Sequence, residues 1–221
     1  MTVKAVLFDL DGTLLDTIEL LLSSVRWAFR NRPGRGPTTD EWIAGIGTPL
    51  ASQLRVYATD EQDLAALIDG YREYQREHHD RLTRAYADAI ETVADLFRAG
   101  YRIGVVTSKA SDIANRSLAF VGLDRYLEIV VGFDATERHK PDPEPVLYAL
   151  NALQVNPTEA VFVGDSPHDM YAGNAAGVIT VGALWGPFQR EALQVASPRF
   201  SLDRIRDLPA LLDRLPPNSA G

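Results

Sequence analysis

Five short apolar segments constrain this chain more than any other feature: Val3–Leu10, Tyr101–Thr107, Leu127–Val131, Ala160–Val163 and Val178–Val181. They are rich in β-branched residues and show little alternation of polar with apolar positions, so strands built from them need cover on both faces. Helical periodicity supplies that cover. Apolar residues recur at helical spacing over Ile18–Phe29, Asp88–Ala99, Ser111–Val121, Pro145–Leu153 and Asp169–Ala176, and three of these stretches stop at Gly100, Gly122 and Gly177. Strand and helix in alternation predict an α/β fold, a Rossmann-like open parallel sheet with helical crossovers. With 221 residues, 46% of them hydrophobic, the chain can bury such a core.

The alternation is interrupted once. Asp16 or Thr17 is placed to cap the first helix, Asn31–Pro37 reads as a Pro/Gly/Arg loop, and Asp40–Arg84 is charged and helical in pattern with no convincing strand. Within it Gly45-Ile46-Gly47-Thr48-Pro49 breaks the periodicity, and Glu61–Arg81 reads as a polar helix or helix pair. The expected organisation is a Rossmann-like core of residues 1–15 and 84–221 with an inserted all-helical domain over 16–83. Beyond Val181 the chain to Leu215 reads as loop and weaker helix, and Pro216–Gly221 as a disordered tail.

Composition narrows the partners. A net charge of −8 argues against nucleic acid, which needs a basic face. No apolar run is long enough for a membrane span and no basic leader opens the chain, so a cytoplasmic protein is expected. With no cysteine and four histidines, a bound metal must be held by oxygen or imidazole.

Polar residues punctuate the strand ends, where open α/β sheets bind ligands. The first segment ends in Asp9 and Asp11, two apart and therefore facing one way on extended chain, followed by Gly12, which frees the backbone to turn. The second ends in Thr107-Ser108-Lys109. Lys140 follows the third, in His139-Lys140-Pro141-Asp142-Pro143, and the fourth runs into Gly164-Asp165-Ser166-Pro167-His168-Asp169. Each has a plain structural alternative: Ser108 or Ser111 as a helix cap, Asp165 and Ser166 as another, Lys140 as a solvated side chain. Together they put four carboxylates, a hydroxyl and an ammonium in one crevice, a set that calls for a hard divalent cation such as Mg²⁺.

In order and spacing these segments resemble the four motifs of the haloacid dehalogenase-like phosphohydrolase superfamily, with Ala175-Ala176-Gly177 and Trp185-Gly186 matching its later landmarks. The resemblance covers nearly the whole chain, and the helical insertion matches the cap of the phosphoglycolate phosphatase and inorganic pyrophosphatase branch. It implies a Mg²⁺-dependent enzyme acting on a small phosphorylated substrate through an aspartyl-phosphate. Asp9 would be the nucleophile and Asp11 the general acid and base. Asp9, the Asp11 carbonyl, Asp165 and Asp169 would hold the metal. Gly12, Thr107, Ser108, Lys109 and Lys140 would surround the phosphoryl group, and Gly47 and Thr48 would reach in from the cap. Ser108 stands where the superfamily often has asparagine.

Asp11 argues against a dehalogenase, which protonates no leaving group. A sugar phosphomutase is the nearer alternative, but Gly45–Pro49 holds no cation for a second phosphate and Arg55 lies a turn or two away. A non-catalytic phosphate-binding module is the alternative from another class. His78-His79-Asp80 and the Lys140 loop resemble the pyrophosphatase branch, with Lys109, His78, His79, Arg81 and Arg84 as candidate cations for a second anionic group. A monomer or homodimer is expected.

Overall fold

The computed structural model describes residues 2–32 and 35–215; the tail from Pro216 to Gly221 lies outside them. Strands β1 (Ala5–Phe8), β4 (Arg102–Val106), β5 (Ile129–Val131), β6 (Ala160–Gly164), β7 (Ile179–Ala183) and β8 (Phe200–Leu202) form one sheet in the order β5-β4-β1-β6-β7-β8, every pair parallel. The fold is α/β and Rossmann-like. β1 lies between β4 and β6, so the chain crosses from one side of β1 to the other and leaves a crevice at its carboxyl end.

Alternate residues of the central strands feed opposite cores. Val6, Phe8, Ile103, Val105, Val161 and Val163 point to one side, against α5 (Ala89–Arg98), α6 (Ser111–Val121) and α10 (Leu208–Leu212). Ala5, Leu7, Val106, Ala160 and Phe162 point to the other, against α7 (Glu144–Ala152) and α8 (Pro167–Ala176). Burial on both faces is what the unalternating apolar runs require.

Three short strands differ from expectation. β8 is a sixth strand in the stretch read as loop and helix; it is three residues at the sheet edge, Phe200 and Leu202 half-buried and Ser201 exposed, too short to carry a period, and follows the short helix α9 (Arg190–Val195). β2 (Leu15–Asp16) and β3 (Arg84–Ala85) pair antiparallel where the chain leaves the sheet and returns to it. Two residues give no sequence signal.

Between β2 and β3 the chain is helical. α1 (Ile18–Phe29), α2 (Thr39–Gly45), α3 (Leu50–Arg55) and α4 (Glu61–Leu82) enclose their own core of Leu22, Val25, Trp42, Leu54, Leu64 and Leu67. Glu61–Leu82 is one helix rather than a pair, its start capped by Asp60, which accepts from the Asp63 amide. Thr17 stands at the start of α1, but its hydroxyl donates to Asp11 instead of capping. Neither Ser108 nor Ser111 caps α6; Ala110 holds that position, and the Ser111 hydroxyl bonds Asp134. No helix among the described residues is long and apolar enough to cross a membrane.

Candidate active site

The Asp9 amide donates to the Val163 carbonyl at 2.8 Å, which carries the β1–β6 ladder one residue beyond β1 and fixes where the carboxylate emerges. The chain then folds back at once. Leu14 and Leu15 donate to the Leu10 carbonyl at 3.0 and 2.9 Å, and Gly12 adopts φ +97°, a region that L side chains avoid. A Cβ on Gly12 would lie 2.5 Å from Asp165 Oδ2, so only glycine lets this turn pass the end of β6. Gly186 closes the same carboxylate from another side, where a Cβ would lie 2.4 Å from that of Asp165. Its neighbour Trp185 donates its indole N–H to the Thr13 carbonyl at 2.9 Å.

Three carboxylates and one ammonium meet in this crevice, all buried. Lys140 Nζ donates to Asp9 Oδ1 at 2.7 Å, to Asp169 Oδ1 at 2.6 Å and to the Val106 carbonyl at 3.2 Å. Asp169 is held from behind by a capping box at the start of α8, its Oδ2 accepting from the Ser166 hydroxyl and amide at 2.6 and 3.0 Å. Asp165 accepts from the Thr13 hydroxyl at 2.7 Å through Oδ1, while its buried Oδ2 has no hydrogen-bond partner. One carboxylate oxygen from each of Asp9, Asp165 and Asp169 lies within 4.8 Å of the others. An all-oxygen set with three negative groups, one positive group and an orphaned acceptor fits a hard divalent cation. The Asp11 side chain stands outside this trio.

Burial pushes the Asp9 carboxyl up to about 7, with Lys140 working against the rise and Asp169 adding to it. Burial likewise raises Asp165 well above the carboxylate range, reinforced by Asp9 and Asp169. For Lys140 burial acts to lower the value, but Asp169 and Asp9 outweigh it and hold the ammonium above the ordinary lysine value. A carboxyl raised in the folded state binds protons that the unfolded chain has lost, so its contribution is present below pH 3.8 and disappears as the pH rises through about 7. In metal-free buffer the melting temperature is therefore expected to fall between pH 5 and pH 8, and to fall less in Asp9→Asn; calorimetry across that range measures both.

Asp9 and Asp11 open on a cavity of about 120 Å³, which Gly47, Thr48, Thr107, Ser108 and Lys109 also line. Its roof is a contact between the inserted helices and the sheet. The Ser108 hydroxyl donates to the Gly47 carbonyl at 2.6 Å, and Gly47, at φ +99°, packs so closely that a Cβ would sit 2.8 Å from Ser166 Oγ. Lys109, expected beside a phosphoryl group, donates to Asp11 Oδ1 at 2.7 Å, and Thr17 donates to the same oxygen. The Gly12 amide, expected in an anion cradle, donates to the Leu15 carbonyl at 2.9 Å.

The other candidate cations are not among the cavity's lining residues. His79 is buried between Ser117 and Asp80, His78 packs edge-on to Tyr74, and Arg55 pairs with Glu61. Sequence reasoning missed Tyr71 and Arg72, which line the cavity from α4. Burial, and then Asp11, push the Tyr71 phenol well above its usual value, so it stays protonated. The sequence signal was weak, since α4 carries a second tyrosine, Tyr74, that does not line the cavity.

The sequence profile of haloacid dehalogenase-like hydrolases matches residues 6–183. The chain belongs to that family. Among haloacid dehalogenase-like hydrolases it is 37% identical over 212 residues to Pyrophosphatase PpaX of Bacillus cereus, covering 96% of this chain and 97% of the relative. It is 35% identical over 212 residues to Pyrophosphatase PpaX of Anoxybacillus flavithermus, covering 96% and 98%. The fold matches the crystal structure described as a predicted phosphoglycolate phosphatase from Haemophilus somnus with a TM-score of 0.87, at 24% identity over 96% of this chain and 98% of the other.

Proposed function

We infer that this hydrolase is a Mg²⁺-dependent phosphohydrolase acting on a small phosphorylated metabolite through an aspartyl-phosphate on Asp9. One observation carries the reading: the buried Asp9, Asp165, Asp169 and Lys140 cluster opens, through Asp9 itself, onto a cavity that also holds Asp11. In this reading residues 1–15 and 84–221 form the catalytic core and 16–83 the cap that closes over it. The activity for which the PpaX relatives are named makes inorganic pyrophosphate one candidate substrate, and phosphoglycolate is another.

Asp9 attacks phosphorus, an oxygen–phosphorus bond forms on its carboxylate, and the bond to the leaving oxygen breaks. Asp11, which lines the same cavity as Asp9, gives that oxygen its proton and then removes one from the water that attacks the aspartyl-phosphate. Phosphate leaves and the Asp9 carboxylate is restored. Thr17 and Lys109 orient Asp11 through its Oδ1. Lys140 keeps Asp9 and Asp169 together against their repulsion. Thr107 and the Ser108 amide, which has no protein acceptor among the described residues, face the phosphoryl oxygens. Asp9, Asp165, Asp169 and the Asp11 carbonyl would hold a divalent cation, which would supply Lewis-acid stabilisation of the phosphoryl charge.

Hydrolysis fits better than phosphomutase transfer, because Arg55 is spent on Glu61 and Gly45–Pro49 carries no cation. The test is phosphate release from an aryl phosphate with Mg²⁺ and again after EDTA. Turnover that EDTA stops is expected; absence of turnover across a broad phosphate panel rejects the enzyme reading in favour of a binding module.

A further inference from the structure

The cavity wall opposite Asp9 and Asp11 is not made for a second inorganic phosphate. Trp42, Ile46, Leu50 and Ile68 form it from the inserted helices, and Phe133 faces them from the core. A leaving phosphate there would lose its water and find few donors, which is costly for an anion. Lys109 is occupied by Asp11. Gln53 spends its amide N–H on the Thr48 carbonyl, which leaves a buried acceptor oxygen that repels phosphate oxygens. Among the described residues the one cation of this cavity with no ion pair or hydrogen bond is Arg72, on α4. Arg72 and Gln75 also line an adjoining cleft of about 370 Å³, where Arg76 stands with Asp112 and with Arg116, which pairs with Asp80. The space thus runs from carboxylates, past an apolar wall, to arginines.

We propose that the substrate is an organic phosphate monoester whose leaving group has an apolar body lying against Trp42, Ile46, Leu50 and Ile68 and an anionic end, a carboxylate or its equivalent, on Arg72. This rests on the phosphohydrolase reading and names the substrate class for it. The apolar body gains by leaving water, and the distal charge finds a guanidinium whose fork matches a carboxylate. Pyrophosphate lacks the body, and phosphoglycolate is too small to cover the wall.

The experiment separates binding from turnover. With Mg²⁺ present, calorimetry on Asp9→Asn compares 4-(carboxymethyl)phenyl phosphate, phenyl phosphate, pyrophosphate and phosphoglycolate, while kcat/KM for the same four is measured on the unsubstituted protein. The carboxylated aryl phosphate is expected to bind at least about tenfold more tightly than pyrophosphate or phosphoglycolate. Arg72→Ala, a change at an exposed side chain, is expected to weaken the carboxylated ester about tenfold more than phenyl phosphate, mainly in KM. Ile68→Ser is expected to weaken both aryl esters relative to pyrophosphate. Equal or tighter binding of pyrophosphate or phosphoglycolate, or an equal effect of Arg72→Ala on both aryl esters, overturns the proposal. Loss of turnover for all four with the binding order intact overturns the phosphohydrolase reading and leaves the ligand class standing.

Discussion

Asp9→Asn is expected to lower kcat on any phosphate ester by about 10⁴-fold or more, because it removes the attacking oxygen. The substitution is close to isosteric, and an amide oxygen at this position still accepts from Lys140 Nζ. The folded state no longer has to hold a buried carboxyl whose ionisation it disfavours. Melting at pH 8 without metal is therefore expected to be unchanged or higher. Loss of turnover together with retained stability is the signature of a nucleophile. Activity within a factor of ten of the unsubstituted protein would remove Asp9 from that role, and single-turnover phosphate release measures it.

Lys140→Met should have the largest effect on stability. The side chain is buried, and its ammonium is the group that joins the Asp9 and Asp169 carboxylates at 2.7 and 2.6 Å. Methionine fills a similar volume but leaves those two charges facing each other and the Val106 carbonyl without its donor. Breaking a buried pair by removing one partner costs about 3–5 kcal/mol, and urea denaturation at pH 7 in metal-free buffer is expected to show a loss of that size. The direction with pH follows from the carboxylates. As the pH falls through about 7 Asp9 takes up a proton and repels Asp169 less, so the deficit should shrink toward pH 5. A deficit below about 1 kcal/mol at pH 7 would fit a surface-like pair instead, and would mean that Lys140 does not hold the cluster together.

Both predictions concern residues whose importance was legible in the sequence, whereas several hydrogen-bond partners around them were not. Asp9, Asp11, Thr107, Lys140 and Asp165 stand out because polar groups interrupt or follow buried runs, where a purely structural chain has no use for them. Thr13 and Thr17 lie within or just beyond the same first motif, yet what they bond to depends on how the turn at Gly12 folds back, and nothing local encodes that. Lys109 looked like a free cation because a sequence cannot say that Asp11 will meet it, 98 residues apart. The histidine pair is a similar case: its position on α4 puts His79 against Ser117 and Asp80, and neither histidine lines the cavity. β2, β3 and β8 escaped notice because two or three residues cannot show a period.

What the sequence determined by itself is the α/β fold, the order of the strand-end motifs and the family to which the chain belongs. Those features follow from one-dimensional patterns: unalternating apolar runs, helical spacing, and carboxylates two apart before a glycine. Only the tertiary structure decided which charges are spent and which remain available. It paired Lys140 with Asp9 and Asp169, Lys109 with Asp11 and Arg55 with Glu61, and it left Arg72 unpaired beyond an apolar wall. The physical reason is that charge pairing and desolvation depend on distances of a few ångströms between residues far apart in the chain.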